Sequence, residues 1–308
     1  MKGLASALIL TWTLVPLYGP ASFCGFATAQ ELEPRVYSPS PVGGNFLLLS
    51  GTRSTGDVVV DPSILLSDVY AEMYSASLSY SRTFGLFGRS ASAAVVLPYM
   101  WGTMSGDVLE QVRSIDRSGM GDTRLRMGIN LIGGPALSQA EFAKRRPGRA
   151  LGASVIVAAP TGQYYPDKLI NIGANRWAFK PEVGFSQPHK RWSFEAYAGV
   201  WLYTDNDDFL GGQVREQEPL GAFQGHVSYT FKPRLWLAGD ATFYTGGRTT
   251  VDGTKNADLQ ANSRFGVTFS APVGRRNSVK VAWATGATTR IGGSFDTFGA
   301  TWQFFWFD

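Results

Sequence analysis

From residue 44 to residue 307, apolar and polar side chains trade places along one short segment after another. Successive side chains on a strand point to opposite faces, so a repeat of two builds a strand with one greasy face and one polar face. Residues 176–203 show this most clearly. Trp177, Phe179, Val183 and Phe185 alternate with Arg176, Lys180, Glu182 and Ser186. Beyond a bend at Pro188-His189, Trp192, Phe194, Ala196, Ala198, Val200 and Leu202 alternate with Arg191, Ser193, Glu195, Tyr197 and Tyr203. The pattern predicts an antiparallel hairpin closing about residues 187–190, which sets Glu182 opposite Glu195 on the polar face. Opposed like charges are unfavourable. A shared proton or a bridging cation is therefore expected, and Lys180 lies two residues away on that face.

About twelve such segments follow one another, and the connections between them set the architecture. Residues 85–89, 187–190, 232–233 and 274–277 read as tight turns, whereas 52–68, 102–119, 161–175, 204–218, 246–261 and 287–294 read as long polar loops. A soluble β-sandwich shares the alternation, but its crossovers seldom alternate so regularly in length. Short turns at one end, long loops at the other and a last strand rich in aromatics describe an all-β transmembrane antiparallel β-barrel of the bacterial outer membrane. One connection breaks the rhythm. Residues 131–149 fall where a short turn is expected, and 137–146 read as a small helix on the periplasmic side.

Residues 1–29 read as a secretory signal peptide. Lys2 precedes an apolar run, and Ala27-Thr28-Ala29 offers a small-x-small cleavage site before Gln30. Cys24, the only cysteine, would leave with it, so no thiol, disulfide or cysteine-held metal is expected of residues 30–308, the barrel itself. In those residues no run approaches the roughly 20 apolar residues that a helical span needs. The net charge of +4 is mild and the cations are scattered, which argues against nucleic acid as a partner.

Several stretches resemble a known family. Residues 160–164 (PTGQY), 171–182 (NIGANRWAFKPE), 215–219 (REQEP), 244–247 (YTGG) and 133–138 (GGPALS) look like the family named for the meta-pathway of phenol degradation. The resemblance covers nearly all of residues 30–308 and implies an outer-membrane transporter-like barrel. The name, taken from neighbouring degradation pathways, points only loosely to phenol-type solutes. Asp308 departs from the aromatic last residue usual in such barrels.

In a barrel the polar faces turn inward. The expected lumen and solute path comprise Arg124, Arg126, Arg176, Lys180, Glu182, Glu195, Tyr197, Trp201, Arg234, Trp236, Asp240, Arg264 and Lys280. Eight strands leave a barrel filled by side chains and sixteen leave an aqueous channel, so twelve should leave a narrow passage. Cations beside aromatic edges suit small amphiphilic or anionic solutes such as aromatic acids. With no nucleotide motif, passage would be passive; no cofactor or metal is expected. Expected partners are the solute, outer-membrane lipid and lipopolysaccharide, and the barrel-assembly machinery.

Two other classes stay open. One is a structural or adhesive surface barrel. The other is a hydrolase, because His226 and Ser228 stand two apart like the His-Ser pair of outer-membrane phospholipase. Here, however, the pair falls on the polar face, and no third group to orient a base is identifiable. Asp205, Asp207 and Asp208 could offer oxygen ligands to Ca²⁺, but their spacing suits a solvated loop better.

Overall fold

In the computed structural model the described residues are 32–60, 66–108 and 111–308; the expected signal peptide and Cys24 lie outside them. The chain runs as β1 (Gly44–Val59), β2 (Leu66–Leu86), β3 (Arg89–Val108), β4 (Gln111–Met120), β5 (Thr123–Ile132), α1 (Gln139–Lys144), β6 (Ala150–Ala159), β7 (Ala178–His189) and β8 (Trp192–Tyr203). It continues as β9 (Asn206–Phe209), β10 (Gln213–Gln217), β11 (Leu220–Lys232), β12 (Leu235–Gly246), β13 (Thr249–Val251), β14 (Thr254–Lys255), β15 (Gln260–Val273), β16 (Asn277–Thr288) and β17 (Gly292–Phe307).

Pairing of β1 with β17 and of β2 with β3 closes the main sheet into a twelve-stranded antiparallel barrel. Within it β4 and β5 are two lengths of one strand lying along β3. The break between them falls beside Pro98, which has no N–H to give to the ladder; the Gly121 N–H donates to the Pro98 carbonyl instead, at 2.9 Å. Closure removes the free edges of the main sheet except the outer side of β4, which pairs with β3 alone among the described residues.

The alternation resolves into an outside and an inside. Leu78, Leu125, Met127, Val183, Phe194, Phe223, Val267 and Phe298 are exposed on the outer face, while Ser75, Ser77, Ser79 and Ser81 are buried on the inner one. Leaving such a side chain in water rather than in an apolar medium costs roughly 1.5–3 kcal/mol each, so an outer face of this kind fits lipid and not water. Trp177 and Trp192 stand exposed at strand ends, as an interfacial girdle requires. No helix among the described residues is long and apolar enough to span a membrane; the strands do the crossing.

Tight turns gather at one end, which outer-membrane barrels place in the periplasm. Phe87 and Gly88 both take positive φ, 51° and 71°, the mirror-image turn that matches strand twist. Helix α1 sits at this end within the long 133–149 connection. It is started by a capping box in which Ser138 Oγ accepts from the Glu141 N–H and the Glu141 carboxylate accepts from the Ser138 N–H.

Two expectations need correction. The β7–β8 turn is Lys190-Arg191, with Lys190 at φ 55°, and His189 pairs with Trp192. Glu182 therefore faces Gly199, four residues beyond Glu195, and Ser186 faces Glu195. A slip of four residues leaves both greasy faces outward, so alternation alone could not choose between the registers. The regions expected as loops at 52–68 and 102–119 are largely strand. The 21 residues of β2 reach roughly 70 Å at about 3.3 Å each, more than twice the roughly 30 Å hydrocarbon core. Beyond the bilayer both faces meet water and alternation disappears, as where Arg53 pairs with Glu72 at 2.8 Å across the outer surface. Regions 204–218 and 246–261 likewise carry a separate four-stranded sheet, β9, β10, β13 and β14.

Candidate functional site: a lumen closed by the N-terminal segment

Residues ahead of β1 fold back into the barrel. Glu33, Arg35 and Tyr37 are all nearly inaccessible, though they belong to no strand of the wall. Tyr37 sits in a notch made by glycine. Gly152 of β6 and Gly184 of β7 pair directly on the inner face, and a Cβ on either would lie 2.3 Å or 2.0 Å from the Tyr37 ring. Tyr197, the β8 partner of Gly184, meets that ring edge-on at 4.9 Å. The Tyr37 hydroxyl donates to Glu182 Oε1 at 2.8 Å and lies 2.7 Å from Ser154 Oγ.

Charge fastens the rest of the segment. Glu33 pairs with Arg126 at 2.9 Å, and its N–H donates to Gln224 Oε1. The Arg35 N–H donates to Glu195 at 2.7 Å, and its guanidinium donates to the hydroxyls of Ser228 and Thr230 while lying 4.7 Å over the Trp236 ring. Burial pushes the Arg35 guanidinium down to about 10, partly offset by Glu195, so it remains a cation at neutral pH. Side chains hold this segment throughout; it adds no rung to the sheet.

Of the residues expected to line the lumen, Arg124, Arg126, Lys180, Glu182, Glu195, Tyr197, Trp201, Trp236, Asp240 and Arg264 are buried on the inner face, and Lys280 is half-buried there. Lys180 meets Glu182 at 3.1 Å, so the carboxylate is bridged by a cation although its partner is not Glu195. Asp240 accepts from Thr268 and bonds His226 Nδ1, each at 2.7 Å. Lys280 has the carboxylates of Glu33 and Asp240 as its electrostatic neighbours. Arg264 donates to the Phe295 carbonyl near the loop end. Arg176 precedes β7 at the loop end, bonded to Gln217 and 4.4 Å over Tyr203. Arg234 stands apart from the others: it occupies the β11–β12 turn at φ 66° and donates to carbonyls of the neighbouring 274–277 turn.

Towards the loops the lumen turns apolar. Val58, Val69, Met73, Met100, Met104 and Phe295 cluster with Ile172 on one wall; Ile156, Ala178, Trp201, Leu220 and Tyr244 cluster on another. Ile172 arrives on the 160–177 loop, which carries two of the family-like stretches. Asp122 holds that loop's two ends together, accepting from the Gly162 and Ala174 N–H groups at 2.9 Å each. Gly162 and Gly173 touch so closely there that a Cβ on Gly162 would lie 2.7 Å from the Gly173 Cα. Asn171 bonds back to Tyr165 and Lys168, tightening the fold.

Reading strands for alternation missed the segment around Glu33 to Tyr37, because it has none. Two signals pointed to it: a charged stretch with a tyrosine before the first strand, and inward-facing glycines at 152 and 184, which mark a close approach. The apolar lumen was missed because Met73 shares its phase with Ser75, Ser77 and Ser79, so its face looks polar. Among the described residues no group of three His, Cys, Asp or Glu side chains is arranged to hold a metal ion.

A closed barrel greasy outside, polar and plugged inside, is a transmembrane β-barrel of the outer-membrane class. The chain belongs to the family described as MetA-pathway of phenol degradation, whose model matches residues 38–302. Its fold is similar to an outer-membrane channel from Pseudomonas putida F1, with 23% identity, a TM-score of 0.76, and 90% of this chain and 100% of that one covered. Looser likenesses include the CymD monoaromatic hydrocarbon channel (10% identity, TM-score 0.48, 87% and 90% covered) and the KdgM porin (8%, 0.46, 83% and 98%). No curated protein sequence matches the chain.

Proposed function

We propose that the chain is a passive outer-membrane channel for small amphiphilic or aromatic solutes. One observation carries this reading: the lumen is stopped by a segment seated through side chains, not built into the wall. Such a stopper can leave without breaking a strand pairing. That the similar Pseudomonas barrel is an outer-membrane channel supports passage, and the family description supports phenol-type solutes. The apolar clusters near the loops would receive an aromatic body. Arg124, Arg126, Arg176, Lys180, Arg264 and Lys280 would offer cations to a carboxylate, while Tyr197, Trp201 and Trp236 would stack on a ring. Glu182, Glu195 and Asp240 balance those cations, and Arg234 serves the periplasmic rim. The outer face would meet lipid and lipopolysaccharide after insertion by the barrel-assembly machinery.

Proteoliposomes should admit small aromatic carboxylates faster than neutral sugars of similar size. Arg124→Ser should weaken that preference; Arg126 also anchors the segment, so Arg124 is the cleaner probe. Vesicles no leakier than protein-free controls, with the barrel shown to be folded, would exclude the channel. Cysteine replacing Gly253 should react with an impermeant maleimide on intact cells, and cysteine replacing Arg275 should not. A hydrolase finds little support in the geometry: Ser228 Oγ accepts from Arg35, and the His226–Asp240 pair faces the lumen, away from lipid.

A further inference from the structure

We propose that the periplasmic mouth of the barrel holds a binding site for an amphiphilic anion, a carboxylate or phosphate carried on an apolar body. A cavity of about 560 Å³ opens there beneath the N-terminal segment, between the β7–β8 turn, the β11–β12 turn and the 133–149 connection. Five cations converge on it from four separate stretches: Arg35, Arg145, Lys190, Arg191 and Lys232. Arg35 lies in the field of Glu195, while the hydrogen-bond partners of Arg145 and Arg191 are neutral. Arg35 donates to Ser228 and Thr230, Arg145 to the Gly133 carbonyl, and Arg191 reaches the Tyr229 hydroxyl at 3.5 Å. The Glu195 carboxylate accepts from the Arg35 N–H and the Ser38 hydroxyl. Among the described residues no carboxylate is in ion-pair contact with any of the five.

Like charges on an open surface are screened within about 10 Å by salt. Around a cavity with apolar walls their field is focused inward, which draws in a counter-ion. Pro39, Pro147 and Pro188 supply such walls, and the girdle side chains of Trp192 and Phe231 flank the cavity on its membrane side. A neutral solute would use the apolar walls and leave the cations unanswered; an anion with an apolar body answers both. The volume suits a small ligand, since such sites run to roughly 300–1,000 Å³. Two sources share this chemistry: an aromatic acid in transit and the headgroup of an anionic phospholipid.

The test uses the whole protein in neutral detergent micelles, titrated by ¹⁹F NMR with 4-fluorobenzoate and, separately, with the uncharged 4-fluorobenzyl alcohol. The variant carries Lys190→Gln, Arg191→Gln and Lys232→Gln, all exposed at the rim, so the barrel should fold unchanged. The acid should bind about tenfold more weakly to the variant, the order expected for losing a charge-assisted contact, while alcohol binding stays the same. Short-chain phosphatidylglycerol that displaces the acid would assign the site to lipid headgroups; acid that stays bound in its presence would assign it to free acids. Equal affinity for acid and alcohol, or unchanged acid affinity in the variant, would overturn the proposal. Because binding is read without a membrane, a negative result leaves conduction to be judged separately.

Discussion

Towards the periplasm the lumen is held by charge: Arg126 meets Glu33 at 2.9 Å and Glu182 at 3.5 Å, and Lys180 meets Glu182 at 3.1 Å. Towards the loops it is held by hydrocarbon, with Met73, Met100, Ile172 and Phe295 clustered together, and Ile156 and Trp201 lie where the two halves meet, beside Lys180. The halves respond differently to change. A buried ion pair is costly to desolvate and returns that cost only in good geometry, so it fixes one seating of the segment and fails abruptly when a partner is lost. Methionine and isoleucine contacts are undirected and soft, so they tolerate a guest of varied shape. The ionic half positions the stopper, and the apolar half is suited to receive a solute.

The largest effect should come from deleting residues 32–40. Single-channel conductance should rise several-fold with the barrel still folded, because the segment adds no strand pairing. An unchanged conductance would mean that the 160–177 loop alone closes the path. Gly184→Ala should come next, approaching the deletion's conductance, since its new Cβ meets the Tyr37 ring at 2.0 Å and should displace it. The same substitution at Gly225, where a Cβ meets nothing within 4 Å, should change little.

Arg126→Met should loosen the segment without abolishing its seating. Breaking a buried pair by removing one partner costs about 3–5 kcal/mol, which should appear as frequent channel flicker and faster proteolysis near Tyr37. Smallest of all should be the effect of Met73→Gln with Met100→Gln in the apolar half. Passage of neutral aromatics should fall a few-fold relative to aromatic acids, with the conductance to small ions unaltered. If that pair instead raised ionic conductance, the two halves would not be independent.

Much of this was legible in order of residues. The tight turns at 87–88 and 274–276, the helix started by Ser138 and the inward phases of Arg126, Glu182 and Trp236 all followed from local pattern, because each is decided by the nearest few side chains. The β7–β8 register was not, since a slip of four residues keeps every side chain on its face and only the backbone at Lys190 chooses. The tall β2–β3 wall was not, since alternation needs lipid on one side to sustain it. Nor was the use of His226, which pairs with Asp240, its direct β12 neighbour, rather than with Ser228.

The sequence by itself determined that residues 44–307 close into a barrel with a greasy outside, because period-two burial is a property of each strand alone. Whether that barrel is open was decided only in three dimensions. Glu33 and Arg126 are 93 residues apart and Arg35 and Ser228 are 193 apart, and nothing local links them. Tyr37 has its place because two glycines on neighbouring strands face each other across a register that pairing had first to set. A stopper of this kind is specified by the shape of the finished wall, and that shape exists only once the sheet has closed.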